Sequence, residues 1–183
     1  MTEGFAQYFD RFGIRHFAAR EFLVSTNRPG NTLPPEFMWP NIVPTALVLD
    51  ELRAHFDSPI VVTSCYRAPD YNRQVGGTPR SNHQAFTAAD FGVAGVSPAE
   101  VAEFLRSWRG RWFRAPERIP RVPVEVPVDD PDADGDARKI PFAELEWRES
   151  DGVVEFQLAA AVGEYARFTH LDTRGTNNSW SGH

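Results

Sequence analysis

The 183-residue chain has a single cysteine, Cys65, so no intrachain disulfide can form and a disulfide-stapled secreted scaffold is excluded. Positive charge is also scarce, with 19 Lys and Arg against 25 Asp and Glu and a formal net charge of -6. Affinity for nucleic acid needs clustered cations that displace counterions from phosphate, so no nucleic-acid partner is expected. The one cluster present is Arg106, Arg109, Arg111, Arg114, Arg118 and Arg121, interleaved with Trp108, Trp112 and Phe113. It reads as a solvated helix end and loop in preference to a surface for a polyanion or acidic partner. Long apolar runs are missing as well. The opening MTEGFAQYFDRFGIRHFAAREF has early acidic residues and no unbroken hydrophobic stretch, which suits neither a signal peptide nor a membrane anchor. No membrane insertion is expected. Cytoplasmic synthesis is the simple expectation, with release by lysis or a specialised secretion route left open, as is the oligomeric state.

Within these limits, 42% hydrophobic and 24% charged residues suffice for one substantial core. The chain reads as a single α+β domain over residues 1–183, a small, mainly antiparallel sheet packed against helices, with a decorated loop at about 115–150. Phe17 to Leu23 predicts a short helix. After Pro44, TALVLDELRAHF places Leu47, Leu49, Leu52 and Phe56 near helical spacing and predicts a helix with one buried face. Pro59 to Ser64 is a β-branched run that predicts a buried strand, and Ala88 to Phe91 another. Ser97-Pro98-Ala99-Glu100 marks a helix start, followed by the apolar Val101, Phe104, Leu105 and Trp108. Residues 153–161 and 165–171 read as further sheet or short helical material. Asp130-Pro131-Asp132-Ala133-Asp134-Gly135 has the opening half of a calcium loop, but Pro141 stands where its last acidic ligand belongs. A solvated acidic turn is therefore preferred for residues 129–136.

His83 and Asp90 stand seven residues apart in SNHQAFTAAD, and His170-Leu171-Asp172 follows some eighty residues later. Imidazole nitrogen and carboxylate oxygen suit zinc, which catalytic sites hold with three protein ligands and an open position for water. A lone histidine is more often a surface or hydrogen-bonded residue, and His16 and His55 keep that reading. Cys65 follows an apolar strand with no histidine near it in sequence, so it reads as structural.

The chain resembles the zinc peptidases of the peptidase M15 group, the D-alanyl-D-alanine carboxypeptidase and L-alanyl-D-glutamate endopeptidase type that shares its core with the hedgehog signalling domain. The resemblance rests on Thr63-Ser64-Cys65-Tyr66-Arg67-Ala68-Pro69, on Tyr71-Asn72 with Val75-Gly76-Gly77, on Ser81-Asn82-His83 with Ala88 and Asp90, and on His170-Leu171-Asp172. It implies zinc held by His83, Asp90 and His170, with Arg67 approaching the substrate or the developing oxyanion. Ser81, Tyr66 and Phe86 would shape the site or contact substrate. The implied activity is hydrolysis of a peptide bond in peptidoglycan-type peptides containing D-amino acids, by a carboxypeptidase or endopeptidase.

Two departures bear on that expectation. The family motif commonly has glycine three residues after the first histidine, where this chain has Phe86, a ring expected to narrow the cleft or redirect the loop. Several branches place an acid three residues before the last histidine, where Arg167 stands here, and arginine cannot accept a proton at neutral pH. Asp172 is the first candidate for the missing base, since alternate residues of a strand share a face. Glu164 and the terminal His183 follow. Asp172 has a second reading, orienting a ligand histidine through its far nitrogen. A degenerate metal-binding or interaction module and a structural part of a phage or secretion assembly remain as alternatives.

Overall fold

Helix α2 (Trp39–Phe56) runs through the middle of the protein, and it begins before Pro44 rather than after it. Pro40 lies in its first turn, where a missing N–H leaves no bond unmade. Every residue from Asn41 to Asp50 is buried. The expectation of one buried face is thus corrected for the first half of the helix, which is buried on every side, and α2 touches strands of two different sheets. In the computed structural model, which describes residues 2–127 and 139–182, the architecture is α+β and mainly antiparallel. The calcium-like segment 130–135 lies outside the described residues.

The larger sheet has the order β1-β2-β7-β6-β8, from β1 (Ile60–Ser64), β2 (Ala88–Val93), β6 (Ala161–Glu164), β7 (Thr169–Asp172) and β8 (Asn178–Ser181). All its pairings are antiparallel except β6 with β8. The smaller sheet is β3-β5-β4, from β3 (Trp112–Ala115), β4 (Trp147–Ser150) and β5 (Val153–Gln157). Strand β1 is an edge strand whose residues alternate between buried and exposed, with Val61 62% exposed, so the reading of a wholly buried strand is corrected. Helix α3 (Pro69–Gln74) is a short turn of helix, whereas α4 (Pro98–Ser107) starts as its sequence predicts, with Ser97 Oγ accepting from Glu100 N at 3.2 Å, and packs on β6 and β7. Helix α1 (Thr2–Asp10) adds Phe5 and Phe9 to an aromatic cluster with Phe22, Trp39 and Phe86.

Phe86 is fully buried in that cluster, 5.9 Å from the Phe5 ring and 6.0 Å from that of Tyr66. Its φ of 55° is left-handed, a conformation that a side chain makes costly and glycine adopts freely. The preference for glycine here therefore concerns the backbone, and this chain offsets the strain by packing the ring inward. Replacing Phe86 by glycine is expected to destabilise the fold by about 2 kcal/mol, because the lost ring outweighs the relieved strain. The midpoint of denaturant unfolding would measure the balance.

The arginine cluster is dispersed by the fold. Arg106 pairs with Glu164 at 3.3 Å, Arg109 donates to Ala160 O and Ser179 Oγ, and Arg111 covers the Trp108 ring at 4.5 Å. Arg121, read as solvated, is instead 5% exposed and donates to the carbonyls of Thr173 and Ala143. No helix among the described residues is long and apolar enough to cross a membrane.

Candidate metal centre

Strand register brings the distant motifs together. In the β2–β7 pair Asp90 lies directly opposite His170, and in the β1–β2 pair it lies opposite Ser64. Residues opposite one another in an antiparallel pair present their side chains on the same face. His83 arrives from a 3-10 turn, Asn82–Ala85, which leads into β2. His83, Asp90 and His170 are all buried, and one ligand atom from each lies within 4.8 Å of the others. Asp90 Oδ1 is 3.1 Å from His83 Nε2 and 2.8 Å from His170 Nδ1, so these are the inward-facing atoms.

Each imidazole is held from behind. His83 Nδ1 is 2.5 Å from the Cys65 carbonyl oxygen, which can only accept, so Nδ1 carries the proton and Nε2 is left to bind a cation. The backbone repeats the link, because Arg67 N donates to His83 O at 3.1 Å. His170 Nε2 is 3.0 Å from Asp172 Oδ2. Arg67 donates from Nη2 to Asp90 Oδ2 at 2.6 Å and from Nε to Ser64 Oγ at 3.1 Å. The Ser64-Cys65-Tyr66-Arg67 stretch thus fixes the His83 and Asp90 side chains through side-chain and main-chain bonds.

The electrostatics suit a cation. Burial depresses the pKa of His83, against the pull of Asp90, and so favours the neutral imidazole that a metal requires. Burial also opposes protonation of His170, yet the Asp172 and Asp90 carboxylates outweigh it and raise its pKa to about 9. Asp90 feels burial in the opposite sense, and the His83 and His170 imidazoles hold it ionised well below the usual carboxylate range. Two carboxylates that raise the pKa of a buried imidazole make a place where positive charge is stabilised. Two nitrogens and one oxygen at this separation match the donor set of a catalytic zinc site.

The trio borders a cleft of about 550 Å³ whose walls include Arg67, Arg80, Ser81, Tyr165, Arg174 and Trp180. Trp180 comes from β8 and lies 5.1 Å, ring to ring, from His170, with its Nε1 donating to Tyr165 Oη at 2.9 Å. Gly163 on β6 makes room for it, since a Cβ there would sit 2.6 Å from the indole. Arg67 and Ser81 therefore line the cleft as expected. Tyr66 and Phe86 do not line it: both are buried against each other in the core, a place that leaves them only the role of shaping the site from behind.

Asp172, the first candidate for the base, does not border the cleft. It is fully buried behind His170, where Arg174 donates to it from the main chain, Nε and Nη2. Its second reading, as the residue that orients His170, is the one the geometry fits. Glu164 pairs with Arg106 outside the cleft, and His183 lies outside the described residues. Asp90 is the only carboxylate among the described residues of the cleft wall. Tyr165, Arg174 and Trp180 went unread in the sequence. The one available signal was a tryptophan alone in the polar tail TNNSWSGH.

The buried His-Asp-His trio, with Asp90 and His170 on paired strands and His83 on the turn before them, borders a cleft and could hold a metal ion. The family model for Peptidase M15 matches residues 15–118, more than half of the chain, and the chain belongs to the peptidase M15 family. The match contains His83 and Asp90 and ends before His170, so the third member of the trio is assigned by the fold. Neither a curated protein nor a solved structure matches the chain.

Proposed function

We propose that this chain is a zinc-dependent peptidase of peptidoglycan-type peptides containing D-amino acids, acting as a carboxypeptidase or an endopeptidase. The observation that carries this reading is the convergence of His83 Nε2, Asp90 Oδ1 and His170 Nδ1 beside a cleft that Arg67 also lines. Zinc held there would supply Lewis acidity, which polarises a peptide carbonyl and acidifies water. The residues supply the rest. Cys65 O and Asp172 aim the two imidazoles, and Arg67 Nη2 fixes Asp90 Oδ2 so that Oδ1 faces both rings. Two of the three Arg67 nitrogens are bound to Asp90 and Ser64, leaving Nη1 to bind a substrate carboxylate or oppose charge on a carbonyl oxygen. Incubation of the zinc-loaded protein with defined peptidoglycan peptides, followed by mass spectrometry, tests this reading and separates terminal from internal cleavage. No cleavage of any such peptide by protein holding stoichiometric zinc would remove it.

Three arginines, Arg67, Arg80 and Arg174, border the cleft against two carboxylates among the described residues, Asp90 paired with Arg67 and, behind the wall, Asp172 paired with Arg174, although the chain as a whole is acidic. That balance favours anionic peptides. Arg80 Nε donates to Lys139 O at 2.9 Å, which orients the guanidinium before substrate arrives. Arg80→Ala is expected to raise KM about tenfold for a peptide bearing a free carboxylate near the scissile bond, and to leave its amide counterpart nearly unchanged. Steady-state kinetics on the acid and amide pair would check it.

One observation favours a second reading, a metal-bearing binding module without turnover. No carboxylate apart from Asp90 stands on the described cleft wall to accept a proton. Peptide binding with no product over long incubation is the result that this reading requires.

A further inference from the structure

Asn41 and Thr45 lie one turn apart on α2, and both are 0% exposed. Buried polar groups persist where their partners need them. The partners here belong to the metal-bearing segments. Thr45 Oγ1 donates to Thr87 O at 2.7 Å and lies 2.9 Å from Thr173 Oγ1. A hydroxyl has one proton, and the Thr87 carbonyl can only accept, so the Thr173 hydroxyl must donate to Thr45. Thr87 stands between His83 and Asp90, and Thr173 follows Asp172, three residues beyond His170. Where the β2–β7 ladder ends, one further main-chain bond joins the two segments, Thr173 N to Thr87 O, and it is long at 3.3 Å.

Asn41 extends the same row. Its Nδ2 donates to Ala85 O at 2.9 Å and Val122 O at 2.8 Å, while its Oδ1 accepts from Val122 N at 2.7 Å. Arg121, next in the chain to Val122, reaches back to the Thr173 carbonyl. One helical turn of α2 therefore grips the loop after His83, the entry to β2 and the end of β7.

We infer that Asn41 and Thr45 are positioning residues that set the spacing between the His83–Asp90 segment and the His170 strand, and through it the affinity for the metal. The inference rests on the reading that the trio holds zinc. It does not depend on which peptide, if any, is cut. Ligand atoms must be held to within about half an ångström, and side chains on rigid elements do this better than loops. The side-chain polar atoms of Asn41 and Thr45 are all hydrogen-bonded, and buried polar groups so satisfied favour one arrangement of the segments they join.

The test is zinc affinity, read by competition with a chromogenic chelator on folded, full-length protein. Thr45→Val keeps the shape and removes the hydroxyl, and it is expected to weaken zinc binding about tenfold, the lower end of the cost of losing a supporting partner of a metal ligand. Thr45→Ser restores the hydroxyl and should stay within about twofold of the wild type, less than the loss of one hydrogen bond would produce. Thr26→Val, which deletes a buried hydroxyl bonded to Leu23 O at 2.7 Å away from the site, should leave affinity unchanged. A Thr45→Val protein that binds zinc as the wild type does overturns the inference, as does a Thr45→Ser protein that falls equally far. If Thr45→Val does not fold, Thr173→Ala cuts only the link to β7, and unchanged affinity there overturns it too. Wild-type protein that takes up no zinc sinks this inference together with the peptidase reading. Zinc uptake that weakens in Thr45→Val, without cleavage of any peptide, sinks the peptidase reading alone.

Discussion

Asp90→Asn should leave the protein unable to retain zinc through dialysis. The loss of affinity should exceed the roughly 10–100-fold typical of removing an outer partner of a metal ligand. Asp90 is the only anionic member of the trio, and its Oδ1 is the atom to which both imidazoles turn. An amide offers a neutral oxygen and no charge. The substitution also frees Arg67, whose guanidinium lies 2.6 Å from Asp90 Oδ2, to act as an unopposed positive charge beside the place of the metal. Repulsion from that charge adds to the loss of the ligand. The zinc-free protein should suffer as well, because Arg67 and Asp90 are only 19% and 7% exposed at their side chains. Removing one partner of so buried a pair costs about 3 kcal/mol. Elemental analysis and denaturant unfolding of the zinc-free form measure the two effects separately. An Asp90→Asn protein that keeps one zinc per chain would show that the trio is not the metal site.

The trio was legible because its chemistry is carried by residue types at short spacings, His83 to Asp90 and His170 to Asp172, with Asp90 and His170 in strands and His83 on the turn before β2. What sequence could not supply was direction. His170 and Asp172 alternate on one face of β7 as the strand period requires, yet only His170 borders the cleft. Asp172 is drawn behind it by Arg174, whose reach across the end of the strand no local pattern announces. Phe86 misled for a different reason. Its side-chain type suggests a cleft wall, whereas its left-handed φ turns the ring toward Phe5 and Tyr66. On α2, Pro44 read as a boundary, and the buried polar pair Asn41 and Thr45 was passed over. Their partners are main-chain groups more than forty residues away, which periodicity does not see.

Asp172→Asn distinguishes the two roles open to that residue. As the orienting partner of His170, Asp172 acts on the metal and touches no substrate. The substitution is then expected to lower zinc affinity roughly 10–100-fold, and turnover should return when zinc is supplied in excess. The physical basis is the chain Arg174, Asp172, His170. The carboxylate accepts three bonds from Arg174 and faces His170 Nε2 at 3.0 Å, all without contact with water. Those bonds keep Asp172 ionised despite burial, which by itself would favour the protonated form. An amide in its place must turn its oxygen to Arg174 or to His170 and cannot serve both as an anion does. The imidazole then loses the anchor that fixes its ring and strengthens Nδ1 as a donor. A general base would behave otherwise: turnover would stay low at every zinc concentration while zinc content remained full. Turnover measured across a zinc titration separates the two outcomes, and failure of excess zinc to restore the Asp172→Asn protein would return Asp172 to the chemistry.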